Sequence, residues 1–288
     1  MDANRRIERQ LTEALTPGAT PPLLSLAMHH AVFPGGARVR PRLCLAAAAA
    51  CGMDDPVLVD ATAAAIEMLH CASLVHDDMP CFDDAATRRG RLTVHRAFSE
   101  PLALLAGDAL IVLAFQTMAR AAASCAHPER LGAVLRIVGD SVGTPLGIVA
   151  GQAWECEQHV NVAAYHRAKT AALFAGATMA GAAAAGGPVE AWSHVGLRLG
   201  EAYQVADDIG DAISDAEQLG KPVGQDAAHD RPSAVRELGL KGAIKRLEEL
   251  ADLAVEAIPP CPGRAELGAL MRHEARRLVP KTLPAHAY

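Results

Sequence analysis

Two groups of carboxylates stand out among the residues able to do chemistry. His76-Asp77-Asp78-Met79-Pro80-Cys81-Phe82-Asp83-Asp84 follows an apolar stretch that begins near Ala61. Pro80 cannot continue a helix, so the spacing predicts a helix that stops near Asp78 or Met79. Carboxylates at a helix C-terminus face the negative end of the macrodipole, which costs stability unless a cation compensates. For that segment alone, a solvated acidic turn is the plainer reading. The second group, Tyr203-Gln204-Val205-Ala206-Asp207-Asp208-Ile209-Gly210-Asp211, sets Gln204, Asp207, Asp208 and Asp211 at i, i+3, i+4 and i+7. They form one polar stripe on a helix whose other face carries Ala202, Val205, Ala206 and Ile209. Unpaired, these anions repel one another. Two such clusters facing each other across helices fit hard divalent cations. Mg²⁺ suits best, because it binds through a few carboxylates and completes its shell with water and phosphate oxygens.

A phosphate ligand also needs cations, and short basic groups lie near both clusters. Arg88-Arg89-Gly90 follows the first directly, Arg38, Arg40 and Arg42 come just after Gly35-Gly36, Lys169-Thr170 sits in an alanine-rich segment, and Lys221 lies in the glycine-containing stretch 220–224. Taken singly, each reads as a surface charge; their nearness to the acidic clusters gives them weight together. His70 precedes Asp77 by seven residues, two helical turns or ~10 Å on the same face, so it points into the same cavity or is a satisfied core histidine. No Ser-His-Asp or Cys-His arrangement is present. Carboxylates and cations without a nucleophile suit a reaction in which a phosphate leaving group departs and the protein stabilises charge.

These residues need helices to position them. Of the 288 residues, 51% are hydrophobic but only 3% aromatic, with alanine runs such as Ala46 to Ala50 and Ala182 to Ala185, which disfavours a sandwich or barrel. Apolar residues at helical spacing predict helices over 61–78, about 102–126, about 130–150, 161–186, 190–214 and about 239–257. No strand-helix repeat, Gly-x-Gly-x-x-Gly or Walker-type loop suggests a nucleotide fold. The expected fold is therefore all-α, a single large helical bundle around a deep central cavity, with one domain over 1–288. Twenty-seven basic against 33 acidic residues, a net −6, excludes a generally basic nucleic-acid binder. Seven cysteines without a Cys-x-x-Cys pair predict a reducing, cytoplasmic setting. No apolar stretch is expected to reach the ~18 residues of a membrane span.

The motifs resemble the trans-type polyprenyl diphosphate synthase family, over nearly the whole chain. His76 to Gly90 is similar to the family's first aspartate-rich motif in its form with two extra residues, Tyr203 to Asp211 to the second, and Gly220 to Asp226 to the loop after it. Gly151 to Glu155 resembles the family's Gly-Gln segment, with Glu155 where Asp is usual. The likeness is strongest to the geranylgeranyl-forming members of carotenoid and bacteriochlorophyll pathways in purple photosynthetic bacteria. It implies a homodimeric, Mg²⁺-dependent prenyltransferase that condenses isopentenyl diphosphate with an allylic diphosphate. Asp77, Asp83 and Asp207 are implied as direct metal ligands, with Asp78, Asp208 and Asp211 ligating or acting through water, around three Mg²⁺ per site. Arg88, Lys169, Thr170, Gln204 and Lys221 are implied for the allylic substrate, and Arg40, His70 and Arg89 for isopentenyl diphosphate. Ala37 departs from the family, which usually has Lys there. Losing that charge-assisted contact costs ~1.5–3 kcal/mol, unless Arg38 or Arg42 compensates. A farnesyl-forming enzyme, a non-catalytic subunit that keeps the fold, a terpene cyclase and a metal phosphohydrolase are the competing readings; the last two need not preserve Arg40, His70 and Arg89.

The resemblance also bears on product length. In this family the residues four and five positions before the first aspartate limit tail growth, and here they are Ser73 and Ala72, both small. Leu69 and Met68, or Phe115 and Met118, are then expected to form the floor. Ala72→Tyr or Ala72→Phe should shift the product from C20 to C15; an unchanged product distribution on chromatographic sizing would contradict this limit.

Overall fold

The computed structural model describes residues 2–16, 21–33, 36–158, 164–165, 167–213 and 233–278; the side chains of Asp211 and of residues 273–278 lie outside that description. Twelve α-helices in these stretches are numbered here: α1 Ala3–Ala14, α2 Pro22–Val32, α3 Val39–Ala50, α4 Pro56–Asp77, α5 Val94–Ala97, α6 Glu100–Ala121, α7 Leu131–Val142, α8 Ile148–Ala153, α9 Ala172–Ala184, α10 Glu190–Ile213, α11 Ala234–Glu256 and α12 Arg264–Leu278. The strands β1 (Thr87–Arg88) and β2 (Arg91–Leu92) form a small antiparallel hairpin. The fold is all-α, as the composition predicts.

The central element is α4. Asp55 caps its start by accepting from the Leu58 amide at 3.3 Å, and Pro56 occupies the first turn, where no amide donor is needed. Small side chains at Ala61, Ala63, Ala64, Ala65 and Ala72 let neighbours close in on several sides, and α4 packs against α1, α2, α3, α6 and α9. Two of the rare polar groups on its buried face are paired. Asp60 accepts from Arg6 at 2.8 Å and Arg9 at 3.3 Å, tying α1 to α4, while Glu67 accepts from Arg38 at 2.7 Å. The helix stops at Asp77 with Asp78 as its cap, as Pro80 requires.

Close approach also explains the alanine content of α9, which is almost wholly buried between α3, α4, α7 and α10. A Cβ at Gly181 would overlap the Cys44 carbonyl of α3, so the crossing depends on the missing side chain. The cavity lies along the C-terminal half of α4, from Glu67 to Asp77.

Several predicted boundaries shift. The span expected as one helix over 130–150 is interrupted after Val142 by a turn containing a cis Thr144–Pro145 bond, and resumes as α8. Within the segment expected over 161–186, the described residues hold a π-helical turn, Arg167–Ala171, followed by α9. In α11, Gly239 is non-helical at φ 68°, ψ 167°. The sequence reading assigns no helix before residue 61, because α1 shows only two buried apolar positions, Ile7 and Leu11, and α3 is an alanine run without a stripe.

The expectation that no stretch could span a membrane needs correction. By length and composition, α4 and α6 both suffice, since single polar residues such as Glu67 and Asp108 interrupt them without offsetting their mean hydropathy. Burial separates the two. The most apolar 18-residue window of α4 is 78% buried inside the fold, which marks a core helix, whereas that of α6 is only 39% buried and leaves Leu104, Leu105 and Val112 about half exposed.

Candidate active site

Local geometry at the end of α4 accounts for the spacing of the first acidic cluster. The Asp83 amide donates to the Asp77 carbonyl at 3.0 Å, Asp84 to Met79 at 3.1 Å and Ala85 to Asp78 at 3.1 Å, so the chain folds back and returns Asp83 to Asp77. The β1–β2 hairpin follows. Its two-residue tip, Arg89-Gly90, has φ of 54° and 73°, the left-handed pair that a primed hairpin turn requires. The adjacent arginines diverge as a result. Arg88 donates from Nε to both oxygens of Asp78 at 2.8 and 2.9 Å, whereas the Arg89 guanidinium lies over Gly36, where any Cβ would collide with it.

One oxygen from each of Asp77, Asp83 and Glu155 falls within 4.8 Å of the others, a hard-oxygen set suited to a divalent cation. Lys169 donates to Asp77 Oδ1 at 3.3 Å and to Glu155 Oε1 at 2.5 Å. Tyr165 also donates to Glu155 Oε1, at 2.7 Å, and Gln152 to its Oε2, at 2.9 Å. Burial, with Asp83 adding to it, pushes the Asp77 carboxyl above its usual range against the pull of Lys169. Burial likewise raises Asp78, with Arg88 opposing. Such shifts mark carboxylates held together at an electrostatic cost, a common signature of sites that bind charge.

Across the cavity, α10 contributes Tyr203, Gln204 and Asp207 to the wall. Thr170, on the π-helical turn, donates to Gln204 Oε1 at 3.0 Å, and Gln204 passes the bond on to Asp208 Oδ1 at 3.1 Å. The second oxygen of Asp208 accepts from the Ala234 amide at 2.7 Å at the start of α11. Asp208 is thus buried and ties α10 to α11, with one hydrogen bond on each oxygen. Asp78 similarly serves Arg88. The aspartates that line the cavity are Asp77, Asp83 and Asp207. The Asp211 side chain and Lys221 lie outside the described residues.

Beside the acidic end is a basic corner. Arg40 Nη1 donates to His70 Nε2 at 3.3 Å, so the ring accepts there and is neutral; burial and the nearby Arg40 and Arg89 hold its pKa well below the usual value. The Arg40 guanidinium lies 4.5 Å from the Phe174 ring centroid, and its buried Nε has no hydrogen-bond partner among the described residues. Arg38 does not take the place of the missing lysine at position 37. Its guanidinium is buried on Glu67, Glu8 and the Val32 carbonyl.

Both ends open into one cavity of about 1060 Å³, whose apolar wall includes Leu69, Ala72, Ile111, Val142 and Leu173. Ser73 lines it too. Met68, Phe115 and Met118, expected as possible floor residues, are not on its lining; Met68 and Met118 are buried in the core, and Ile111 with Val142 stands on the wall instead. Glu155, Gln152 and Tyr165 were absent from the expected site. The Gly-Gln segment was the available signal for the first two, whereas nothing in the sequence marked Tyr165.

A family model described as Polyprenyl synthetase matches residues 21–256. The chain is 53% identical to a geranylgeranyl diphosphate synthase of Cereibacter sphaeroides, covering 99% of both, and 47% identical to that of Rhodobacter capsulatus, covering 100% of this chain and 99% of the relative. Among solved structures it is similar to a geranyltransferase from Helicobacter pylori complexed with magnesium and isoprenyl diphosphate, with TM-score 0.81, 27% identity and 96% of each chain covered. An acidic cluster and a basic corner at one end of an apolar cavity agree with a match that spans most of the sequence: the chain belongs to the polyprenyl synthetase family.

Proposed function

We propose that this chain is a prenyltransferase that condenses isopentenyl diphosphate with an allylic diphosphate, head to tail, to make geranylgeranyl diphosphate. The observation that carries this reading is the cavity itself, where an acidic cluster and a separate basic corner share one apolar chamber of about 1060 Å³. Two diphosphates with different partners and one growing tail fit that division.

The oxygen donors suit Mg²⁺, which when bound neutralises diphosphate charge and favours departure of the leaving group. Asp77, Asp83 and Asp207 would hold it, with three ions as the expected complement. Arg88, kept charged by Asp78 despite burial, holds the allylic diphosphate together with Lys169. Thr170 and Gln204, already bonded to each other, line the wall where the allylic carbon develops positive charge. Arg40, Arg89 and neutral His70 take the isopentenyl diphosphate. The allylic C–O bond breaks, the isopentenyl double bond attacks the carbocation, and the released diphosphate accepts the proton. No dedicated protein base is needed for that last step. Small Ala72 and Ser73 leave the chamber open for a C20 tail.

The half-exposed apolar face of α6 favours a homodimer. Leu104, Leu105 and Val112 on α6, with Leu23 and Leu26 on the neighbouring α2, expose large apolar side chains that a second copy of the chain would cover. Sedimentation should give twice the chain mass, and a monomer at micromolar concentration would contradict this.

Incubation with isopentenyl diphosphate, Mg²⁺ and dimethylallyl, geranyl or farnesyl diphosphate, followed by dephosphorylation and sizing, should yield a C20 alcohol. Asp77→Asn should lower kcat roughly 100-fold or more, as expected for losing a metal ligand, without lowering Tm. Absence of condensation with every starter would sink the reading.

A further inference from the structure

The pair formed by Arg38 and Glu67 is not accounted for by substrate contacts. Arg38 precedes α3 with φ 50° and ψ 38°, a left-handed conformation that is ordinary for glycine and disfavoured for a residue with a side chain. What holds it there is the guanidinium. It donates to Glu67 Oε1 at 2.7 Å, to Glu8 Oε1 at 2.8 Å and to the Val32 carbonyl at 3.0 Å, and both Arg38 and Glu67 have side chains only 3% exposed. Glu67 lines the cavity three residues before His70, on the same face of α4. Arg40 lies two residues beyond Arg38, half-buried, with its buried Nε unpartnered among the described residues. Glu67, His70 and Arg40 line the same cavity, with Arg40 3.3 Å from His70, one turn along α4 from Glu67.

A buried carboxylate beside a half-buried, incompletely paired arginine would capture it unless already neutralised. We propose that Arg38 is a positioning residue for the isopentenyl diphosphate pocket: by occupying Glu67 it leaves Arg40 and His70 turned toward the diphosphate. This rests on the functional reading above. With alanine at position 37, the pocket depends all the more on Arg40, and its correct setting depends on a residue that does not touch the substrate.

The test is calorimetric titration of the full chain with isopentenyl diphosphate and, separately, with dimethylallyl diphosphate and Mg²⁺. In Arg38→Met the Kd for isopentenyl diphosphate should rise about tenfold, the scale of one charge-assisted contact, while that for dimethylallyl diphosphate changes less than about twofold. Removing the competing carboxylate as well, in Arg38→Met/Glu67→Gln, should restore isopentenyl affinity to within about threefold of the wild type. Arg38→Lys, which keeps the charge and tests the idea even if Arg38→Met fails to fold, should weaken isopentenyl binding by about threefold and spare the allylic site. Equal losses for both ligands, unchanged affinity in Arg38→Lys, or a double variant no tighter than Arg38→Met would overturn the proposal. Because binding is read directly, a wild type that binds both ligands without condensing them would contradict the functional reading alone.

Discussion

Three carboxylates meet within 4.8 Å at one end of the cavity, where burial already disfavours the charge of Asp77. Left alone, such a cluster repels itself, and the rest of the fold can be understood as holding it together. Asp77 is fixed by the stop of α4, Asp83 by the backbone turn that brings the chain back to that stop, and Glu155 by Tyr165 and Gln152. Lys169 supplies one positive charge between Asp77 and Glu155. A divalent cation with a diphosphate is a better answer to the same problem, because it brings more charge and a ligand that itself needs cations.

A second constraint is that the two substrates carry similar headgroups and must not exchange places. In the proposed reading the protein separates them by the way it compensates charge. On the acidic side, protein carboxylates call for metal between themselves and phosphate. On the basic side, in the proposed reading, Arg40 and Arg89 would reach phosphate directly, and Glu67, a buried carboxylate nearby, is neutralised by Arg38. Buried ion pairs contribute little net stability once desolvation is counted, so the Arg38–Glu67 pair is better explained by the order it imposes on its neighbours than by stability.

The acidic chemistry was legible because both clusters are dense and their helical spacing puts them on faces. The all-α fold followed from the scarcity of rings and β-branched residues. What escaped the sequence has physical reasons. Asp208 shares the polar stripe by periodicity, but its bond to the Ala234 amide is a long-range contact that no local pattern encodes. Glu155 lies far in sequence from both acidic clusters, so only the fold brings it to Asp77 and Asp83. Met68, Phe115 and Met118 are apolar residues on the helices that flank the cavity, but facing it or the core is decided by packing around α4. The membrane-length apolar character of α6 was missed because isolated polar residues such as Asp108 look like interruptions in a list and matter little in an average.

Thermal unfolding in four conditions tests the central claim most directly: no addition, Mg²⁺ alone, inorganic diphosphate alone, and both. If the carboxylate cluster and the diphosphate depend on each other through the metal, the two together raise Tm by clearly more than the sum of their separate effects. If inorganic diphosphate alone raises Tm as much as the combination does, the basic residues suffice to hold it and the metal-bridged account is wrong.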